Sequence, residues 1–169
     1  VTFVGFVPGI TTPGGVTHQS INDVGIMRTV PNMAIFDVGD ATDIEGVLDL
    51  VYEWNGPAYI RMLRKEVPRL FPANEPMVFN RARTITEGDD VLILSSSICT
   101  EEAMRATAAL EDKGVSVQHM HVSTLKPFTD PTIVEALKKC KYGVVTMENH
   151  YNIGGLGSAV ADLMAENGI

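Results

Sequence analysis

Short apolar runs of strand type alternate with stretches of helical period along the 169 residues, and this alternation restricts the fold more than any other feature. Residues 2–7 form an apolar run ended by Pro8-Gly9, and Ile21, Val24, Met27 and Val30 make the apolar stripe of a short helix. Pro31-Asn32 breaks that helix, and Met33-Ala-Ile-Phe-Asp-Val38 reads as the next strand. Thr42-Asp-Ile-Glu45 has the form of a capping box, opening a helix whose face carries Ile44, Val47, Leu48, Val51 and Tyr52. Gly56-Pro57 ends it, and Ala58-Tyr-Ile-Arg-Met-Leu63 is a third strand.

Periodicity is lost from Arg64 to Gly88, where Pro68, Pro72, Pro76 and Gly88 punctuate a charged segment. This reads as a linker ending in a short edge strand around Met77-Val-Phe79. A second alternating unit follows, with strands over residues 91–95, 115–120 and 142–147 and helices over 101–113, 131–139 and 158–166. Thr100 and Asp130 stand as caps, with Pro131 well placed at a first helical position. Strands alternating with helices need right-handed crossovers, so the expectation is an α/β chain with two parallel sheets. The units fall at residues 1–66 and 89–169, joined by the linker at 67–88. The chain starts inside a strand-like run and stops just after a helix, so both ends read as cuts through a larger fold; removal of a tag or of tails is the simpler alternative.

Charge narrows the partners. Thirteen Lys+Arg against 21 Asp+Glu give a net charge of −8 with no basic run, which argues against nucleic acid and anionic membranes. No apolar run approaches a membrane span, and the start lacks a signal-peptide pattern. Cys99 and Cys140 lack the spacing of a zinc site or a disulfide framework, so a reducing, cytoplasmic home is the expectation.

In open α/β sheets ligands gather beyond the carboxyl ends of the strands. That rule collects the loop from Phe6 to His18, with Gln19 beside it, and Arg61 and Arg64 at the end of the third strand. His18 and Gln19 stand between a Gly14-Gly15 turn and a helical pattern, and a helix start keeps an imidazole neutral while favouring oxygen-rich ligands. An arginine fork there suits a phosphate or carboxylate, although Arg61 and Arg64 could instead pair with Glu66 or solvent. His119 and His121 alternate along a strand, so they share a face; without a carboxylate or cysteine cluster they read as partners of core or surface groups rather than metal ligands. Gly154-Gly-Leu-Gly157 before a helix could cradle a phosphate but more simply allows tight packing.

Three stretches carry a resemblance. Gly15-Val-Thr-His-Gln-Ser-Ile-Asn-Asp-Val-Gly-Ile-Met-Arg-Thr-Val-Pro-Asn-Met33 and Gly56-Pro-Ala-Tyr-Ile-Arg-Met-Leu-Arg64 resemble the pyrimidine-binding domain of the transketolase family, and Glu148-Asn-His-Tyr-Asn-Ile-Gly-Gly-Leu-Gly-Ser-Ala-Val160 resembles its C-terminal domain. The resemblance implies a thiamine diphosphate-binding-like unit followed by a transketolase C-terminal-like unit. It further implies transfer of a two-carbon ketol unit from a ketose to an aldose, with thiamine diphosphate and Mg²⁺ as cofactors. His18 would then be a catalytic, substrate-contacting histidine, with Gln19 and Arg61 as further substrate contacts and Arg64 holding a sugar phosphate. The cofactor ligands of the family lie upstream of Val1, so the chain would need an N-terminal transketolase segment or subunit, in a dimer or heterotetramer, and would be inactive alone. Glu148 and His150 would face the boundary between the two units.

Two positions depart from the family pattern: Phe6 stands where a second histidine is frequent, and Gly14 where an aspartate is frequent. Both family residues contact sugar hydroxyls, so their absence implies altered donor or acceptor preference. The alternative function is a non-catalytic transketolase-like binding or assembly module. The 2-oxoacid dehydrogenase β subunits and deoxyxylulose phosphate synthases share the architecture and form a further alternative.

Overall fold

A computed structural model describes residues 1–11, 13–64 and 66–169. Four strands build the first sheet in the order β1 (Thr2–Gly5), β3 (Ala58–Arg61), β2 (Ala34–Asp37) and β7 (Thr124–Lys126). β4 (Arg83–Thr86), β6 (Val117–His121), β5 (Val91–Ser95) and β8 (Val144–Met147) build the second. The helices are α1 (Asp23–Arg28), α2 (Ala41–Glu53), α3 (Cys99–Glu111), α4 (Pro131–Lys139) and α5 (Leu156–Glu166). The α/β expectation holds, but neither sheet is purely parallel: β7 runs antiparallel to β2 and β4 antiparallel to β6, each at a sheet edge. An antiparallel edge on an otherwise parallel sheet is common in such folds.

β7 comes from the second half of the sequence yet completes the first sheet, pairing Ile35 with Lys126 and Phe36 with Thr124. The two halves also share an apolar core in which Val24, Met33, Ile35 and Tyr59 pack with Leu92, Leu94, Met120, Leu125 and Leu156. At about 25 cal/mol per Å² of apolar surface removed from water, burial on this scale is the main force joining the halves.

The proline-punctuated stretch is packed rather than free. Its edge strand lies at β4, not at Met77–Phe79, because Arg83-Thr-Ile-Thr86 has the β-branched alternation of a half-buried strand. Met77 is instead buried against Gly46, and the Phe79 ring lies 5.8 Å from Phe36 and 5.3 Å from Trp54. Helix α2 is capped by Asp40 rather than by Thr42. Asp40 Oδ1 accepts from Asp43 N at 3.0 Å, and Oδ2 accepts from Leu70 N and Phe71 N at 2.7 and 2.9 Å. Thr42 donates to the Phe71 carbonyl at 2.7 Å, and Glu45 pairs with Arg69. Asp130 caps α4 as expected, with Pro131 in its first turn.

Candidate active site

β1 and β3 are parallel, with Gly5 opposite Arg61, so the chain leaving β1 at Phe6 and the chain leaving β3 toward Arg64 emerge from the same sheet end. The first forms a loop whose two ends are tied together: Ser20 N donates to the Val7 carbonyl at 3.2 Å, Gly9 N donates to the Ser20 carbonyl, and Pro8 bridges Ser20. His18 lies on the excursion between these ties. It follows a single 3-10 turn (Gly15–Thr17) and is five residues short of α1, so the expected helix-start environment is absent. Its ring is exposed, with Nδ1 2.8 Å from the Thr17 hydroxyl. Gln19 is half-buried beside it, and Thr12 lies outside the described residues.

Gly14 and Gly15 have φ of 137° and 68°, and a Cβ at Gly14 would meet the His18 Cβ at 2.9 Å. The loop is therefore built around glycine at 14, in a backbone that an aspartate would strain. Phe6 is exposed at the loop entrance.

Arg61 and Arg64 part company. Arg64 is exposed, and among the described residues no carboxylate pairs with it. Arg61 has no exposed surface, and all three of its side-chain nitrogens donate within the chain. Nε donates to Asp23 Oδ2 at 2.8 Å, Nη1 to Asp37 Oδ1 at 3.3 Å, and Nη2 to the carbonyls of Asn149 at 2.6 Å and Ser20 at 3.4 Å. Burial opposes its charge, but Asp37 and then Asp23 outweigh that and raise its pKa. Tyr59 also donates to Asp23 Oδ2, at 2.6 Å, and Ser96 to Asp37 Oδ2, at 2.7 Å. Burial first, then the bond to Asp23, pushes the Tyr59 phenol well above its usual range. Cys99 nearby is pushed up to about 11 by burial and by the Asp37 charge, so it stays a thiol at neutral pH.

The residues after β8 close this cluster from the other half. Asn149 Oδ1 accepts from Ile10 N at 3.0 Å, Asn149 Nδ2 donates to the Pro8 carbonyl at 3.2 Å, and Tyr151 N donates to the Ile21 carbonyl at 2.7 Å. His150 Nε2 lies 3.8 Å from Asp23 Oδ1. A cavity of about 180 Å³ lies here, lined by Ile10, Ile21, Glu148, Asn149, His150 and Tyr151. The glycine turn ahead of α5 is filled by the protein itself: Glu148 accepts from Leu156 N at 2.6 Å and Gly157 N at 2.9 Å, occupying the donors a phosphate would need.

His119 and His121 belong to a second buried chain of polar groups. Asp43 Oδ2 sits 2.7 Å from His121 Nε2, and His121 Nδ1 sits 2.7 Å from the Thr100 hydroxyl. Thr100 is 3.0 Å from the Ser95 hydroxyl, and Ser95 is 2.8 Å from His119 Nε2. Burial disfavours the Asp43 charge, but the bond and charge contact with His121 prevail and lower its pKa. An ionised Asp43 accepts from His121 Nε2, and at the far end of the polar chain His119 Nδ1 is buried without a partner. Burial, with a smaller contribution from His121, depresses the His119 pKa to about 4, so its ring is neutral.

Asp23, Asp37 and Asn149 escape sequence reasoning. A charged residue closing the apolar run Ala34–Asp37 is the one signal available, since Asn149 lies 88 positions from Arg61.

Comparison with known proteins supplies the lineage. The family description "Transketolase, pyrimidine binding domain" matches residues 1–69, and "Transketolase, C-terminal domain" matches residues 80–169. The chain belongs to the transketolase family. It is 37% identical to the 6-deoxy-6-sulfo-D-fructose transketolase subunit of a Clostridium species, over 99% of this chain and 52% of that protein. An apulose-4-phosphate transketolase subunit of Actinobacillus succinogenes is 31% identical over 90% of this chain and 49% of its own length. Among solved structures, a split-gene transketolase in an inactive β4 tetramer superposes with a TM-score of 0.86 at 35% identity, covering 98% of this chain and 52% of that one. A transketolase from Pichia stipitis, solved with sedoheptulose 7-phosphate, shares the fold at a TM-score of 0.73 and 17% identity, over 90% of this chain and 24% of that chain. The chain spans about half the length of the curated subunits it matches. Among the described residues no helix is long and apolar enough to cross a membrane.

Proposed function

We propose that this chain supplies one wall of the sugar site of a thiamine diphosphate-dependent transketolase that moves a two-carbon ketol unit from a ketose to an aldose. One observation carries the reading: His18 and Arg64 are exposed at one sheet end, while Arg61 beneath them spends all three of its side-chain nitrogens within the chain. An exposed imidazole there can hold a sugar hydroxyl and move a proton, with Gln19 beside it, and the Arg64 fork can hold an anionic sugar substituent. Relatives named for a sulfo sugar and for a sugar phosphate fit such a fork. Arg61 acts from below, holding the loop rather than the substrate.

The family implies thiamine diphosphate, yet this chain's residues do not fit a Mg²⁺–diphosphate site. Among the described residues no group of three His, Cys, Asp or Glu side chains could hold a metal ion, and the buried carboxylates Asp23, Asp37 and Asp43 each bond Arg61 or His121 through one oxygen. We assign those ligands to an N-terminal transketolase segment or partner subunit, in a dimer or heterotetramer. The test is the melting temperature with thiamine diphosphate and Mg²⁺, with and without that partner. Stabilisation by about 5–10 °C in the mixture alone is expected, from roughly 2.7 kcal/mol of linkage at a hundredfold ligand excess over Kd. No stabilisation in either condition overturns the reading and leaves a non-catalytic assembly module.

A further inference from the structure

We propose that Asn149, contributed by the C-terminal half, is the positioning residue that fixes the loop carrying His18, and so controls how tightly the aldose is held. The inference rests on the transketolase reading of His18. Its basis is geometric. The loop leaves β1 at Phe6 and returns at Ser20–Ile21, and within the first half its ends are joined to each other by the Val7–Ser20 and Gly9–Ser20 backbone bonds. The segment after β8, together with Arg61 of β3, ties that closed loop to the rest of the molecule.

The Asn149 carboxamide uses both of its ends on one short stretch, accepting from Ile10 N and donating to the Pro8 carbonyl. Its own backbone carbonyl accepts from Arg61 Nη2, and the same Nη2 reaches the Ser20 carbonyl, so one guanidinium ties the clamp to the loop's return. Tyr151 N completes the hold on Ile21. Gly9, at φ 66°, lies so close that any Cβ there would overlap the carboxamide, so the loop is shaped to receive this side chain. Asn149 is buried, 6% exposed, and a buried amide with both ends bonded defines the position of its partners more sharply than an apolar contact does. Beyond the clamp, residues 13–18 are exposed, and the side-chain bonds of Thr17 stay within the loop, to Gly14 and His18. Pro8–Ile10 and Ser20–Ile21 therefore fix the two ends of the stretch that carries His18. A displacement of about 1 Å in a substrate-positioning group is enough to cost up to roughly a hundredfold.

The experiment uses the enzyme assembled with its N-terminal partner, with glyceraldehyde as acceptor and hydroxypyruvate as donor. Asn149→Ala should raise the acceptor KM about 10-fold with kcat changed less than threefold and the affinity for thiamine diphosphate unchanged. In a His18→Ala background the same substitution should add less than a twofold change, because the group being positioned is gone. Hydrogen exchange at the bonded amides of Gly9, Ile10 and Ser20 should accelerate at least tenfold in Asn149→Ala while the β2 and β5 amides stay protected. Asn149→Asp, which sets a carboxylate oxygen against the Pro8 carbonyl, should loosen the loop at least as much as alanine, and Asn149→Gln, which keeps both amide ends on a longer stem, should fall between and covers the case in which the alanine variant does not fold. Unchanged loop exchange, an unchanged KM, or fully multiplicative effects in the double variant would each overturn the inference. If the unmodified assembly transfers nothing, or His18→Ala leaves the KM alone, it is the transketolase reading of His18 that fails, and the exchange data still decide the clamp.

Discussion

At the scale of single residues, the site's character turns on Phe6 and Gly14, and the structure separates them. Phe6 is exposed at the loop entrance, so a histidine there meets no steric obstacle and adds a group able to hold a hydroxyl. Phe6→His should therefore raise kcat/KM for 2-hydroxyaldehydes relative to their deoxy analogues by about tenfold, which is the roughly 1.4 kcal/mol a well-made hydrogen bond can contribute. An unchanged ratio in competition assays with the assembled enzyme would refute this. Gly14→Asp is different, because φ of 137° and the nearby His18 Cβ force the backbone to rearrange before any carboxylate can be placed. The two departures from the family pattern are thus a simple side-chain exchange at 6 and a rebuilt loop at 14. Arg61 makes a related point: an arginine at the end of a strand looks like a ligand clamp from sequence, yet here two carboxylates and two carbonyls consume it.

At the scale of elements, the polar chain through β5, α3, β6 and α2 makes stability depend on pH. His119 titrates near 4 when folded and near 6.5 when unfolded, so below 6.5 the unfolded chain takes up a proton that the folded one refuses. Stability is then full above pH 6.5 and falls as pH drops toward 4, by at most about 3 kcal/mol at roughly 1.36 kcal/mol per pKa unit. Urea unfolding at pH 7 and at pH 4.5 should reveal this loss, and His119→Gln should flatten it; a variant as acid-sensitive as the parent would exclude His119 as the source. Much of the element order is legible in sequence, for local reasons. Asp130-Pro131 announces α4, and the apolar runs announce β2, β3 and β5. What escapes is set by distant partners. β7 is three residues long with no periodicity of its own, and it exists because the β2 edge is there to pair with. Met77 and Phe79 look like the edge strand that β4 in fact supplies, but they serve as plugs, Phe79 beneath Trp54 and Phe36 and Met77 against Gly46. His18 and Arg64 are visible as a pair through their motifs, whereas the Asn149 clamp, joining positions 139 and 141 residues apart, has no local sign.

At the scale of the whole molecule, the two halves are one thermodynamic object. They share an apolar core, a sheet and the Asn149–Arg61 bonds, so neither can open without exposing groups of the other. Thermal unfolding should give one transition, with coincident near- and far-UV signals and a van't Hoff enthalpy equal to the calorimetric one. Two resolved transitions would mean that the core between β2 and β5 is weaker than its burial implies. The antiparallel strand β7 also has a consequence in time. On a ribosome β1, β2 and β3 emerge before β7, and the edge of β2 lacks that partner until Lys126 has been made. At roughly 5–20 residues per second that wait lasts about 5–20 s, with a buried-type strand, Ala34–Asp37, presenting open hydrogen-bonding groups to any neighbouring nascent chain. The last strand to join the first sheet is in this sense its seal during synthesis, and the moment of greatest risk for this chain comes before its second half has been made.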